Sequence, residues 1–218
     1  MENVKKLFAE FSGTFVLVLL GTGAIIVNEE YPESVTHLGV SLTFGVAVTA
    51  MILLFGHVSG AHINPAVTLG FWITKHVKKT MATAYLIAQI FGALSASILL
   101  SVIFPSNQEL GATLPKAGIW QSALIEFVMT FMLMLVILLF SQNSRVKKFT
   151  AWAVGATVGL EAYFGGPFTG ASMNPARSIG PALISGEIEA IWIYIFCTTA
   201  GAVLASVVWT QNLNKSDS

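Results

Sequence analysis

Six mostly apolar stretches divide the chain, at roughly 8–28, 36–56, 81–104, 120–141, 149–166 and 190–211. A helix of about 20 residues rises about 30 Å, the thickness of a bilayer's hydrocarbon core. The polar residues gather between these stretches and do not alternate with the apolar ones. The pattern therefore predicts membrane-crossing helices and no sheet. The fifth stretch is the shortest, because Gly165-Gly166-Pro167 predicts its end. Two shorter apolar pieces, 64–73 and 174–184, remain, and each opens on Asn-Pro. Asn is a favoured helix N-cap and Pro a favoured first helical residue, so each piece predicts a short helix starting at its Asn. Ten residues reach only about half-way across a bilayer. Such re-entrant segments are tolerated where they line a cavity or are buried in protein.

The two short pieces are copies of one another. In windows 59–70 and 169–180, six of twelve positions are identical: Gly60/Gly170, Ala61/Ala171, Asn64/Asn174, Pro65/Pro175, Ala66/Ala176 and Gly70/Gly180. The duplication reaches the first long stretch of each half, where Glu10-Phe11 and Thr14-Phe15 match Glu126-Phe127 and Thr130-Phe131. The chain thus predicts one domain, 1–218, made of repeats at about 1–110 and 115–212.

Composition agrees with a membrane protein. Only 10% of the 218 residues are charged, against about 25% in a soluble domain. Net charge is zero, so no nucleic-acid partner is suggested. Cys197, the single cysteine, excludes an intrachain disulfide and reads as a small buried side chain. The start, Met1 to Lys6, resembles a signal peptide, but the apolar run continues to about Asn28 and contains Glu10, so it reads as the first membrane helix.

Charge placement predicts orientation. Lys5, Lys6, Lys75, Lys78, Lys79, Arg145, Lys147, Lys148 and Lys215 fall on one side of a six-span layout, nine of the eleven basic residues. Lys116 falls on the other side with Glu29, Glu30, Glu33, Glu109, Glu187 and Glu189, and Arg177 lies in the second short segment. The positive-inside rule then puts both termini in the cytoplasm and the protein in the cell membrane as a multi-pass chain. The half-helices enter from opposite sides, which makes the duplication an inverted repeat.

Glu10 and Glu126 are costly inside a membrane and need donors. The unwound backbone before each Asn-Pro supplies free N–H groups, so both carboxylates are expected to brace those loops; a proton relay is the lesser alternative. If the half-helices meet at the midplane, two partly positive N-termini face each other. Asn64 and Asn174 can then each offer an amide N–H to a lumen. Such a path suits small uncharged hydrogen-bonding molecules and excludes protons and cations.

At these residues the chain resembles the aquaporin superfamily, also called major intrinsic proteins. The resemblance covers essentially the whole chain and rests on Asn64-Pro65-Ala66, Asn174-Pro175-Ala176, the paired glutamates and Ala176-Arg177-Ser178. It implies an all-α membrane protein: a right-handed bundle of six transmembrane helices plus two re-entrant half-helices, a pore in each protomer and a homotetramer. It implies water and small neutral solutes as what passes and the lipid bilayer as surroundings. No cofactor or metal is expected, since no Cys or carboxylate cluster accompanies the histidines, and no enzymatic activity, since the chain shows no paired acids, nucleophile–base set or phosphate loop. It also makes Arg177, a guanidinium deep in a membrane protein, the arginine of a selectivity filter. The remaining filter positions carry over by spacing to Phe44, Ala162 and Ala171. Water-selective members place His at the position of Ala162, so a wider, more apolar constriction that passes glycerol as well as water is expected.

Other markers diverge. Dedicated glycerol facilitators place Asp after the filter arginine, whereas here Ser178 follows, with Ala182 four residues on, as in water channels. Tyr194-Ile195 and Gly166-Pro167-Phe168-Thr169-Gly170-Ala171-Ser172-Met173 resemble nodulin-like intrinsic proteins and their bacterial relatives. The alternatives are a strictly water-selective channel and, in another class, an ion-coupled transporter, for which Glu161 is the sole candidate carboxylate. Glu161, next to Ala162, is read as touching the outer vestibule, pairing with Arg177 or holding the second loop. His57 and His62 flank the first loop and read as loop hydrogen-bonding groups, and His37 and His76 as loop residues. Gly155 and Gly159, with Gly45, are expected to let two helices cross closely.

Overall fold

The apolar runs fold as helices because a backbone out of water can satisfy its N–H and C=O groups only within itself. The computed structural model describes residues 1–32 and 34–216; Glu33 lies outside the described residues, as do the side chains from Asn212 onward, Lys215 among them. The long helices are α1 (Glu2–Glu30), α2 (Thr36–Ser59), α4 (Lys79–Ile103), α5 (Ile119–Gln142), α6 (Thr150–Thr169) and α8 (Thr198–Ser216). A π-helical turn, Ile193–Cys197, leads into α8. The two short ones are α3 (Pro65–Ile73) and α7 (Pro175–Ser185). No strand is present among the described residues. Helices α1, α2, α4, α5 and the segment Ile193–Gln211 are long and apolar enough to cross a membrane. The fifth expected span, α6, is not among them; its four glycines and Glu161 lower its hydropathy, and it crosses the bundle alongside α2.

Glycines set the closest approaches. Helices α2 and α6 cross where a Cβ on Gly45 would stand 2.7 Å from the Gly155 carbonyl oxygen and 3.3 Å from the Gly159 Cα. Gly92 of α4 abuts the Phe11 carbonyl of α1, and Gly201 of α8 abuts the Phe127 carbonyl of α5, one contact made twice. The half-helices cross over: α3 packs on α8, with Gly70 against Met134 and Ser206, whereas α7 packs on α4, with Gly180 against Ala93 and Ser97.

Helix α6 outruns its expected end. It passes through Pro167 and stops at Thr169, where Gly170 takes the left-handed conformation at φ 77°. Proline has no N–H and cannot serve the carbonyl four residues earlier, that of Tyr163. The Nε2 of His37 donates to that oxygen at 2.7 Å. His37 is thus in the first turn of α2 and not in a loop, and its donor offsets what Pro167 removes. His76 does lie in the connection after α3, with Nδ1 2.9 Å from Thr74 Oγ1.

Gly45→Val drives a branched side chain into the α6 backbone, and thermal unfolding in detergent is expected to show a loss of about 2 kcal/mol or more. Gly56→Ala, whose added Cβ meets only Ile52 at 3.6 Å, is the contrasting control and is expected to show no loss.

Candidate functional site

The site is assembled from two loops, 60–64 and 170–174, that the sequence can make only under strain. Gly60 and Gly170 are left-handed, as glycine allows, but so are Ala61 (φ 46°), Ile63 (φ 44°), Ala171 (φ 45°) and Met173 (φ 52°). For a β-branched residue such as Ile63 this is a true outlier, and it persists only where surrounding contacts over-determine it. Those contacts are the two glutamates. Glu10, wholly buried, accepts from Ser59 Oγ at 2.6 Å, the His62 N–H at 2.9 Å, the Ile63 N–H at 2.7 Å and Gln89 Nε2 at 2.8 Å. Glu126 accepts from Thr169 Oγ1 at 2.7 Å and from the N–H groups of Ser172 and Met173 at 2.8 and 2.9 Å.

The loops end at the two half-helices. Asn64 Oδ1 accepts from the Ala66 N–H at 2.9 Å, and Asn174 Oδ1 from the Ala176 N–H at 3.0 Å, which caps α3 and α7. The amide nitrogens cross over: Asn64 Nδ2 donates to the Met173 carbonyl at 2.8 Å and Asn174 Nδ2 to the Ile63 carbonyl at 2.9 Å. The helix N-termini therefore meet head to head. Each amide keeps a second N–H, and both Asn residues line a cavity of about 90 Å³. Leu17, Val48, Leu133, Ile137, Val154 and Val158 give it an apolar wall.

A second cavity, about 260 Å³, opens at the other end and is lined by Ala162, Ala171, His37, Glu109 and Lys116. Phe44 lines both cavities, and Arg177 lines the first. Phe44 is common to both linings, so the cavities adjoin there, with Arg177 on one side of the junction and Ala162 and Ala171 on the other. Arg177 is 1% exposed, and its Cζ lies 5.1 Å from the Phe44 ring centroid, a cation–π contact. Its Nη1 donates to the Gly111 carbonyl at 2.8 Å, whereas Nε and Nη2 have no partner. One wall of the junction thus offers buried N–H donors and the others a phenyl face and two methyl groups. Phe44 fits because Gly21 beside it has no side chain; a Cβ there would fall 2.5 Å from the ring's Cζ.

Glu161 is elsewhere. Adjacent helical residues point about 100° apart; with Ala162 toward the cavity, Glu161 faces an apolar recess with Ile125, Met129, Leu160, Phe164 and Phe168. It neither lines the vestibule nor touches Arg177 or the second loop, and its Oε2 has no partner. His62, by contrast, lines the first cavity, stacks on Phe71 at 4.6 Å and has Nδ1 3.1 Å from Thr68 Oγ1.

Several supporting residues escaped the sequence reading. Tyr85 Oη donates to the Ser59 carbonyl at 2.8 Å and Tyr194 Oη to the Thr169 carbonyl at 2.9 Å, one brace repeated. The signal was present: these tyrosines stand almost as far apart in the chain as the two Asn residues. Gly111, which anchors Arg177, had no counterpart and no such signal.

Comparison with known proteins gives the chain its relatives. A family model described as Major intrinsic protein matches residues 1–209. Aquaporin NIP1-4 of Oryza sativa subsp. japonica is 46% identical, the match covering 96% of this chain and 77% of that one. Nodulin-26 of Glycine max is 40% identical over 96% and 78% of the two chains. The crystallographic aquaglyceroporin from Plasmodium falciparum superposes with a TM-score of 0.83 at 25% identity, covering 95% of each chain.

Glu10→Leu strands four donors in a buried, strained loop, and unfolding in detergent is expected to show a loss of roughly 3–5 kcal/mol. Glu10→Gln, which keeps one acceptor oxygen, is expected to lose less. Equal losses would separate the carboxylate from the bracing.

Proposed function

The chain belongs to the major intrinsic protein family, and from that premise we propose that it is a passive channel for water and small uncharged solutes such as glycerol. The observation that carries the reading is the junction itself: two unpartnered, buried N–H donors of Arg177 opposite the Phe44 ring, with only methyl groups at Ala162 and Ala171. A molecule with a hydroxyl edge and a CH edge satisfies both walls at once. The small side chain at position 162 leaves it room.

Exclusion of ions follows from the same parts. Each half-helix N-terminus carries roughly half a positive charge, and Arg177 adds a full one, so a cation meets a positive potential in a low dielectric. A hydroxide or carboxylate would gain from that potential but loses its hydration against the apolar walls. At the midpoint, water accepting from the second N–H of Asn64 and of Asn174 has both lone pairs occupied, so it can donate to its neighbours in the file but cannot accept from them, which interrupts proton hopping. We further propose that both termini face the cytoplasm, from the nine basic residues on their side, and that four copies assemble, as the family resemblance implies.

Stopped-flow light scattering on proteoliposomes, with water and glycerol gradients on one preparation, tests this. Both permeabilities are expected well above the lipid background. Glycerol at background with fast water would make the chain a strictly water-selective channel; transport that saturates and follows a proton gradient would make it a carrier.

Two variants assign the roles. Ala162→His is expected to lower glycerol permeability by roughly tenfold and water by much less. Arg177→Val is expected to raise proton or cation leak measured with a pH-sensitive dye. An unchanged leak would leave exclusion to the half-helices alone.

A further inference from the structure

His37 is the one histidine whose side chain joins two long helices across the two halves of the molecule at the outer mouth. Its Nε2 reaches the Tyr163 carbonyl at 2.7 Å. A carbonyl only accepts, so Nε2 carries the proton. The ring stacks on that of Tyr163 with centroids 5.2 Å apart. It fits because Gly166 has no side chain; a Cβ there would stand 3.0 Å from His37 Cε1. The Tyr163 oxygen is available because Pro167, inside α6, has no N–H to give it. Donor, gap and vacancy come from three residues, on α2 and α6, and all three line the outer cavity.

The helices so joined are those that carry two of the junction's walls. Phe44 lies on α2, two turns beyond His37; Ala162 lies on α6, beside Tyr163. Below the tie, α2 and α6 are held in contact by the Gly45–Gly155–Gly159 crossing. At their outer ends, the contact between His37 and Tyr163 takes over, and the junction lies between the two fastenings.

We propose that His37 is a positioning residue of the constriction: its hydrogen bond to the carbonyl freed by Pro167 holds α2 and α6 together and so limits the width between Phe44 and Ala162. The solute consequence rests on the channel reading above; the tie itself does not. Without the bond the two helix ends separate, and larger neutral polyols gain relative to smaller ones.

The test is a double-mutant cycle of His37→Phe and Pro167→Ala. Phenylalanine keeps a ring to stack on Tyr163 but has no donor. Alanine at the proline position restores an N–H that can serve the Tyr163 carbonyl from within α6. In proteoliposomes, His37→Phe is expected to raise the erythritol-to-glycerol permeability ratio by roughly threefold or more, through the loss of one hydrogen bond's worth of restraint. In the Pro167→Ala background the same change is expected to leave the ratio nearly unmoved. An equal rise in both backgrounds, or no rise in either, overturns the proposal.

If the unmutated protein carries no glycerol, the glycerol part of the channel reading fails and the tie is judged by unfolding temperature in detergent. There His37→Phe is expected to lower the midpoint by roughly 2–6 °C beside Pro167 and by less than half as much in the Pro167→Ala background. Equal lowering in both overturns the tie independently of any solute.

Discussion

Two carboxylates without cationic partners hold the molecule's centre. Glu10 and Glu126 are each fully buried, and neither forms an ion pair among the described residues; each turns its oxygens to hydroxyl and backbone N–H donors of the loop beside it, and Glu10 also accepts from the Gln89 amide. The loops need this because they run through the left-handed region at Ala61, Ile63, Ala171 and Met173. The strain has a geometric result. It turns each chain sharply enough that a helix can start at Asn64 and another at Asn174 in the middle of the bundle, their caps bonded to one another's loops. A buried, uncompensated carboxylate and a strained loop are each unfavourable alone; placed together, each satisfies what the other lacks.

Duplication explains why the arrangement closes. Most of what holds one loop holds the other: Ser59 and Thr169 to the glutamates, Tyr85 and Tyr194 to the loop carbonyls, Gly92 and Gly201 against the neighbouring helix backbone. Selectivity is built where the copies differ. Val67 in the first half-helix is matched by Arg177 in the second, and that one substitution gives the path a guanidinium on one side only. The guanidinium in turn needs a single-copy partner, the Gly111 carbonyl, to hold it over Phe44. A symmetric scaffold thus carries an asymmetric constriction. His37, Tyr163 and Pro167 form a second single-copy device, at the mouth of the same path.

The helices, the two half-helices and the bracing glutamates could be read from the chain because each is a local signal: an apolar run of bilayer length, an Asn-Pro start, a carboxylate where a membrane offers no water. Repetition made each of them doubly visible. Arg177 stood out as the guanidinium that replaces Val67 in the second copy, and the family resemblance, carried over by spacing to the Asn residues, added Phe44, Ala162 and Ala171. Helix α6 resisted, because its glycines dilute the hydropathy that marks a span and because Pro167 reads as a stop until a donor for Tyr163 is known to stand opposite.

What needed the folded chain was everything that depends on which way a side chain turns and what it meets from a distant segment. Glu161 is one residue from Ala162, and a rotation of about 100° sends it into an apolar recess and away from the path. His37 looks like any polar residue at a helix start until α6 is laid against it. The cross-bonding of Asn64 to Met173 and of Asn174 to Ile63 joins residues more than a hundred positions apart. Local order along the chain is encoded by short-range propensity and period, so the elements were legible in it; hydrogen bonds between elements depend on packing angle and depth, which only the glycine-tuned contacts of the assembled bundle set.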